Sequence, residues 1–210
     1  MKRFLGVLLI LALATSGSKA QVRWGFGAQG GVSISSFEKD IKDYYGLGFG
    51  GGVHVDAELN KYFTGRFQFD YHMFSSDKDK LSGQIAQNSG VPASDVKVEG
   101  WNVSIMGIYL NALGKLPTGS AFVPYALAGV GMNIVGQSDP KVTYQGQDVT
   151  SQVFSKPESK TKFGIDFGAG ADYAVSKNVC IGLEFRYVLI FTENNSNAHM
   201  PISLIFTYHP

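Results

Sequence analysis

Along most of the chain, apolar and non-apolar residues alternate with a period of two, and the two faces differ in size as well as polarity. In residues 47–59, Leu47, Phe49, Val53, Val55 and Ala57 share one parity, while Gly48, Gly50, His54, Asp56 and Glu58 share the other. Successive side chains of an extended strand point to opposite faces, so this segment is a strand with one bulky apolar face and one face of glycine and charge. The 26 glycines and 13% aromatics of the 210 residues extend that signature beyond one segment, and both disfavour long helices.

Seven further segments carry the pattern. Trp24, Phe26, Ala28, Val32 and Ile34 oppose Gly25, Gly27, Gln29, Gly31 and Ser33; Phe63, Phe67, Phe69, Tyr71 and Met73 oppose Thr64, Arg66, Gln68, Asp70 and His72. The fourth sets Trp101, Val103, Ile105 and Tyr109 against Asn102, Ser104 and Met106. The fifth is apolar on both faces, and Val130, Met132 and Ile134 are assigned outward because that turns Gly129, Gly131 and Asn133 inward. The sixth sets Phe163, Ile165, Phe167, Ala169, Ala171 and Tyr173 against Gly164, Asp166, Gly168, Gly170 and Asp172. In the seventh, Ile181, Leu183, Phe185, Tyr187 and Leu189 oppose Gly182, Glu184 and Arg186; in the eighth, Ile202, Leu204, Phe206 and Tyr208 oppose Ser203 and Thr207. Connections at 36–46, 75–98 and 136–160 are long and polar, those at 60–62 and 175–178 are tight, 111–120 is intermediate and 192–197 is short. Long and short connections therefore fall on opposite rims of an up-and-down meander.

Side-chain size decides which face is inside. Eight strands enclose a space barely wide enough for ordinary side chains, so rows of Phe, Tyr, Trp and Leu do not fit within it. Glycine on a wet outer surface would weaken the strands without return. With the bulky face turned to lipid and the glycines and small polar groups inside, both difficulties vanish. A lipid-spanning sheet must also close, since each backbone group needs a partner. The expected fold is an all-β, eight-stranded antiparallel up-and-down transmembrane β-barrel, with interfacial aromatics at Trp24, Tyr62, Phe63, Trp101, Tyr109, Phe163, Tyr173, Phe206 and Tyr208.

Residues 1–20 form a separate object. Lys2 and Arg3 precede an apolar run too short for a membrane helix, and Ser18-Lys19-Ala20 is a small-x-small cleavage site. The segment reads as a secretory signal peptide, and the mature barrel domain as residues 21–210. Cys180 is the only cysteine, so no intramolecular disulfide forms; it reads as a small buried residue.

The segments "FGAQGGVSIS", "GFGGGVHVDAEL" and "TGRFQFDYHMF" resemble the first hairpins of the OmpX-like and PorT-type families, and the whole chain after the leader is similar to the small outer-membrane barrels of the OmpA/OmpX type. The resemblance is one of pattern. It implies a bacterial outer-membrane location and a terminal aromatic read by the insertion machinery. Here the chain ends Tyr208-His209-Pro210, so Tyr208 takes that place.

Candidate chemistry is set against this frame. Gly25, Gly27, Gly30 and Gly46, Gly48, Gly51 both match G-x-G-x-x-G, but the strand alternation runs through the glycines with no helix following, so no nucleotide site is expected. His54, Asp56 and Glu58 form one row on a strand face; with Arg66, Asp70, His72, Asp166, Asp172, Glu184 and Arg186 they are expected to form a polar lumen network rather than a metal site. A turn at 60–62 places Asp56 opposite Arg66, and one at 175–177 places Asp166 opposite Arg186. These rows hold more acid than base.

The expected function is non-enzymatic: a barrel with a largely plugged lumen, displaying long loops for membrane integrity, adhesion or partner binding. No catalytic residue, cofactor or metal is assigned; the partners are outer-membrane lipid and an extracellular or periplasmic protein, and a monomer is expected. A net charge of +1 without a basic patch argues against nucleic acid. Two alternatives stand beside this reading. One is a lipid acyl hydrolase or acyltransferase with a loop-rim site drawn from His72, Ser75, Ser76, Glu193, Ser196 and His199. The other is a soluble lipocalin-like carrier of apolar ligands.

Overall fold

The computed structural model describes residues 22–36, 44–153, 158–192 and 196–210. The leader and Glu193 lie outside them. The described strands are β1 (Arg23–Ser36), β2 (Tyr45–Glu58), β3 (Phe63–Ser76), β4 (Val96–Glu99), β5 (Val103–Lys115), β6 (Phe122–Gln137), β7 (Lys141–Tyr144), β8 (Gln147–Asp148), β9 (Lys160–Ala174), β10 (Val179–Phe191) and β11 (Ser196–Tyr208). Helices α1 (Lys78–Ser89) and α2 (Thr150–Val153) lie in the connections. β1, β2, β3, β5, β6, β9, β10 and β11 form a closed antiparallel barrel, sealed where β1 pairs with β11 from Phe26↔Tyr208 to Ser36↔Ala198. Closure removes the unpaired edges that an open sheet would leave.

The bulky face points out: Phe67, Phe167 and Phe185 are 54%, 52% and 44% exposed, while Arg66, Asp166 and Arg186 beside them are all 2% or less. This orientation excludes a lipocalin-like carrier, whose apolar groups would line the interior. β6 runs as read, with Asn133 inside and Met132 outside.

β5 runs with the opposite parity to the expectation. Ile105, Tyr109 and Leu113 are buried inside, together with Asn111, while Ile108 and Leu110 face out. Both parities of this strand are apolar, so hydrophobicity does not separate them. The polar signal lay in Gly107 and Asn111, which share the parity of Tyr109 and pair with Asp70 and Arg66 of β3. Tyr109 is therefore a lumen residue, not an interfacial one. Trp101 is not on the lipid face either. It precedes β5 with a φ of 59° and packs against the apolar clusters of the loop rim. β5 also continues to Lys115, because inward Asn111 and outward Ala112 prolong the alternation.

The β2–β3 hairpin has the expected register, with Asp56↔Arg66. The β9–β10 hairpin is displaced by two residues: Ala174 pairs with Cys180, and Asp166 pairs with Val188 rather than Arg186. Ser176 Oγ accepts from the backbone of Asn178 and Val179, holding a longer turn open. A two-residue shift preserves parity, so Arg186 still points inward.

At the opposite rim the described parts of the connections after β3 and β6 fold into a cap. Asp77 accepts from Lys80 N to begin α1, and Gly90, with a φ of 68°, ends it in the left-handed conformation that glycine adopts at least cost. β4 from one connection pairs with β7 from another, and β7 with β8. Leu81, Ala86, Val96, Val98 and Val142 make a core for this cap, separate from the barrel. Between cap and barrel lies a cavity of ≈ 680 Å³, bordered by Tyr44, Tyr45, Leu81, Trp101, Val135 and Lys160.

Candidate functional site: the charged lumen

The lumen is built from the inner faces of the barrel strands, and its centre is a two-arginine network. Arg66 grips Asp56 with both arms of its fork, Nε to Oδ1 at 2.7 Å and Nη2 to Oδ2 at 2.9 Å, the bidentate geometry that suits a guanidinium. Its Nη1 crosses the lumen to Glu184 Oε2 at 2.9 Å. Arg186 donates Nη1 to Asp166 Oδ2 at 2.9 Å and Nη2 to Asp70 Oδ2 at 2.6 Å, and its Nε lies 3.4 Å from Glu184 Oε1. Glu184 thus joins the two arginines, and Tyr125 adds a third donor at 2.8 Å. The Arg186 guanidinium also lies 5.8 Å from the Tyr109 ring centre.

Four carboxylates meet two guanidinium groups here, so neutral donors complete the belt. Gln29 and Gln68 donate to Asp70 at 2.7 and 3.0 Å. With the Gln29 amide nitrogen engaged there, its Oε1 accepts from His54 Nδ1 at 2.8 Å. His54 Nε2 lies 3.0 Å from Thr207 Oγ1, on the side where a neutral ring accepts. Glycine makes the room: a side chain at Gly27 would collide with the His54 ring, and one at Gly50 with the His72 ring.

Not every residue of the expected network joins it. Glu58 faces the short-turn rim and pairs with Lys115 Nζ at 2.8 Å. Asp172 lines a cavity at the same rim. The row His54, Asp56, Glu58 is therefore divided among three sets of partners rather than converging on one point. His72 and His199 lie within the barrel, 3% and 2% exposed, with ring centres 5.0 Å apart. Ser33 Oγ sits 3.0 Å from His199 Nδ1, but Ser33 is fully buried, so this serine–histidine contact has no opening to a substrate. Ser76 donates to the Gly100 carbonyl, and Ser75 faces outward. Among the described residues considered for catalysis, His72 and His199 meet inside the barrel, while Ser76 bonds elsewhere and Ser75 faces away from them.

Sequence reasoning missed an apolar layer above the network. Tyr45, Phe74, Ile105, Tyr109, Val188 and Ile190 pack together inside the loop end of the barrel. Their signal was available in β10, where Val188 and Ile190 share the inward parity of Glu184 and Arg186. On the outside, Trp24, Tyr62, Phe63, Tyr173, Phe206 and Tyr208 stand exposed towards the short-turn end. Phe163 stands towards the loop end, stacked at 6.0 Å with Phe191.

A family model described as "Outer membrane protein beta-barrel domain" matches residues 5–209. The chain belongs to that family. This outer-membrane barrel resembles solved structures of the same architecture at low sequence identity. Neisserial surface protein A is 18% identical with a TM-score of 0.56, over 88% of this chain and 96% of that one. A major outer membrane protein from Thermus thermophilus is 14% identical with a TM-score of 0.57, over 90% and 100%. Outer membrane protein OprG from Pseudomonas aeruginosa is 13% identical with a TM-score of 0.51, over 90% and 95%. At these identities the likeness is one of fold. No curated protein sequence matches the chain. The barrel is an integral protein of the bacterial outer membrane.

Proposed function

We propose that the barrel is a non-enzymatic anchor with a closed lumen, and that it acts through the folded cap it holds at the cell surface. The observation that carries this reading is the cap's own buried core, assembled from two different connections across the barrel mouth. Loops that served only to join strands would not need a shared sheet and a packed helix; a surface of fixed shape does, because recognition is cheaper when the binding face is already ordered. The arginine belt and the apolar layer above it support a plugged lumen that does not pass solutes. The cap serves membrane integrity, adhesion or capture of an external protein, while outer-membrane lipid surrounds the strands. The leader ending at Ala20 is removed on export, and the barrel acts as a monomer.

The test is replacement of residues 78–99 and 138–153 by short flexible linkers. The variant retains the mobility difference between boiled and unboiled samples, which reports the barrel, and loses surface adhesion or resistance to apolar dyes. Unchanged adhesion and unchanged resistance would refute the assignment to the cap. A changed lipid A or phospholipid profile on replacing His72 and His199 by Ala would support an enzyme instead.

A further inference from the structure

The short-turn mouth of the barrel holds a second cluster, outside the lumen network. A cavity of ≈ 530 Å³ is lined there by Arg23, Lys61, Lys115 and His209, against Glu58 and Asp172, and Cys180 opens into it. Cys180 is half-buried on the inward parity of β10, opposite Thr207 of β11. Two residues beyond Thr207, His209 enters the same space. Its backbone N donates to Asn178 O at 2.7 Å, tying it to the β9–β10 turn. The ring is 4% exposed, and neither nitrogen has a hydrogen-bond partner, although Nε2 lies 3.5 Å from Glu58 Oε1. Gly25 leaves the space that the ring fills, since a Cβ there would lie 2.9 Å from Nε2.

A buried imidazole beside a thiol and backed by a carboxylate has the composition of an activated-nucleophile site. A thiol is reactive as its thiolate, and cationic surroundings favour that form. The neighbouring Cys180 thiol and the Glu58 carboxylate hold the His209 imidazole up at about 9, so it is cationic at neutral pH.

We propose that Cys180 is a reactive thiol at the periplasmic mouth, where it forms mixed disulfides with small anionic disulfides. Cys180 Sγ loses its proton to solvent, and the thiolate attacks one sulfur of the incoming disulfide. The S–S bond breaks as the new Cys180 Sγ–S bond forms, and the other half departs as a thiolate carrying the electron pair. The incoming disulfide is the oxidant, and the basic lining selects its negative charge. With a single cysteine in the chain, no second thiol resolves the adduct intramolecularly.

The test uses the full barrel in detergent micelles, with the dianionic disulfide dithionitrobenzoate and the neutral dipyridyl disulfide as probes. The folded protein should react with the dianionic probe about ten-fold faster than the same chain denatured, since the basic lining concentrates the anionic probe at the thiol. The dianionic probe should be favoured over the neutral one, and the preference should fade with added salt. His209→Asn should remove most of the acceleration and weaken the preference for the dianionic probe, with Cys180→Ser as the unlabelled control. Folded and denatured chains reacting at equal rates, or a folded thiol slower than the denatured one, would overturn the proposal without recourse to a variant.

Discussion

At the scale of the residue, the lumen charges behave as one unit. A buried charge stripped of its partner is strongly destabilising, whereas a pair removed together costs far less. Arg66→Met should lower unfolding stability in detergent and urea by about 3–5 kcal/mol, and the double change with Asp56→Leu should recover a large part of that loss. Additive losses in the double-mutant cycle would show that the bidentate contact is not coupled. His209 allows a prediction with a definite sign. Its folded pKa is raised from 6.5 to about 9 by Cys180 and Glu58, so its contribution to stability is fully present below 6.5 and is lost as the pH rises through about 9. Proton NMR of the ring should show a midpoint near the raised value, and His209→Asn should flatten the fall in unfolding midpoint over that window. The Asp56–Arg66 pair was legible from a turn three residues long. The bridging role of Glu184 was not, because its two arginines reach it from different strands.

At the scale of the element, hairpins and caps obey local rules, and parity fails where both faces look alike. β5 is the instructive case: Ile105, Ile108, Tyr109 and Leu110 give no contrast, so only Gly107 and Asn111 mark its inner face. A nitroxide at Leu110 should be relaxed by oxygen dissolved in lipid, while one at Asn111 should not; the reverse accessibility would restore the other parity. Helix α1 carries its own start and stop signals in Asp77 and Gly90, which bracket Leu81 and Ile85 on one face. Asp77→Ala should cost about 1 kcal/mol of helix stability. The expected readout is faster proteolysis within 78–99 with unchanged boiled-versus-unboiled mobility, since the barrel does not depend on the cap.

At the scale of the whole molecule, the barrel divides into layers along its axis: a charged mouth at the short turns, the arginine belt, an apolar layer and the cap at the long connections. Ions meet both a charged and an apolar barrier, so single-channel recordings should show little conductance. Replacing Arg66 and Arg186 together by Ala should raise it if the variant assembles, as judged by gel mobility; an open wild-type channel of high conductance would contradict a closed lumen. What the chain determined by itself is everything set by period and size. Outside β5, the alternation decided which residues face lipid, glycine decided which face could be inside, and loop length decided the two rims. These follow from strand geometry, in which each side chain's face is fixed by its number. What only the tertiary structure decided is which distant residues meet. Arg66 and Glu184 are 118 residues apart, and Arg186 and Asp70 are 116 apart. Their contact depends on closure and on the stagger of strands around the barrel, where a two-residue shift preserves every face yet changes every partner. The cap is of the same kind, since β4 and β7 find each other only once the barrel has brought their loops to one rim.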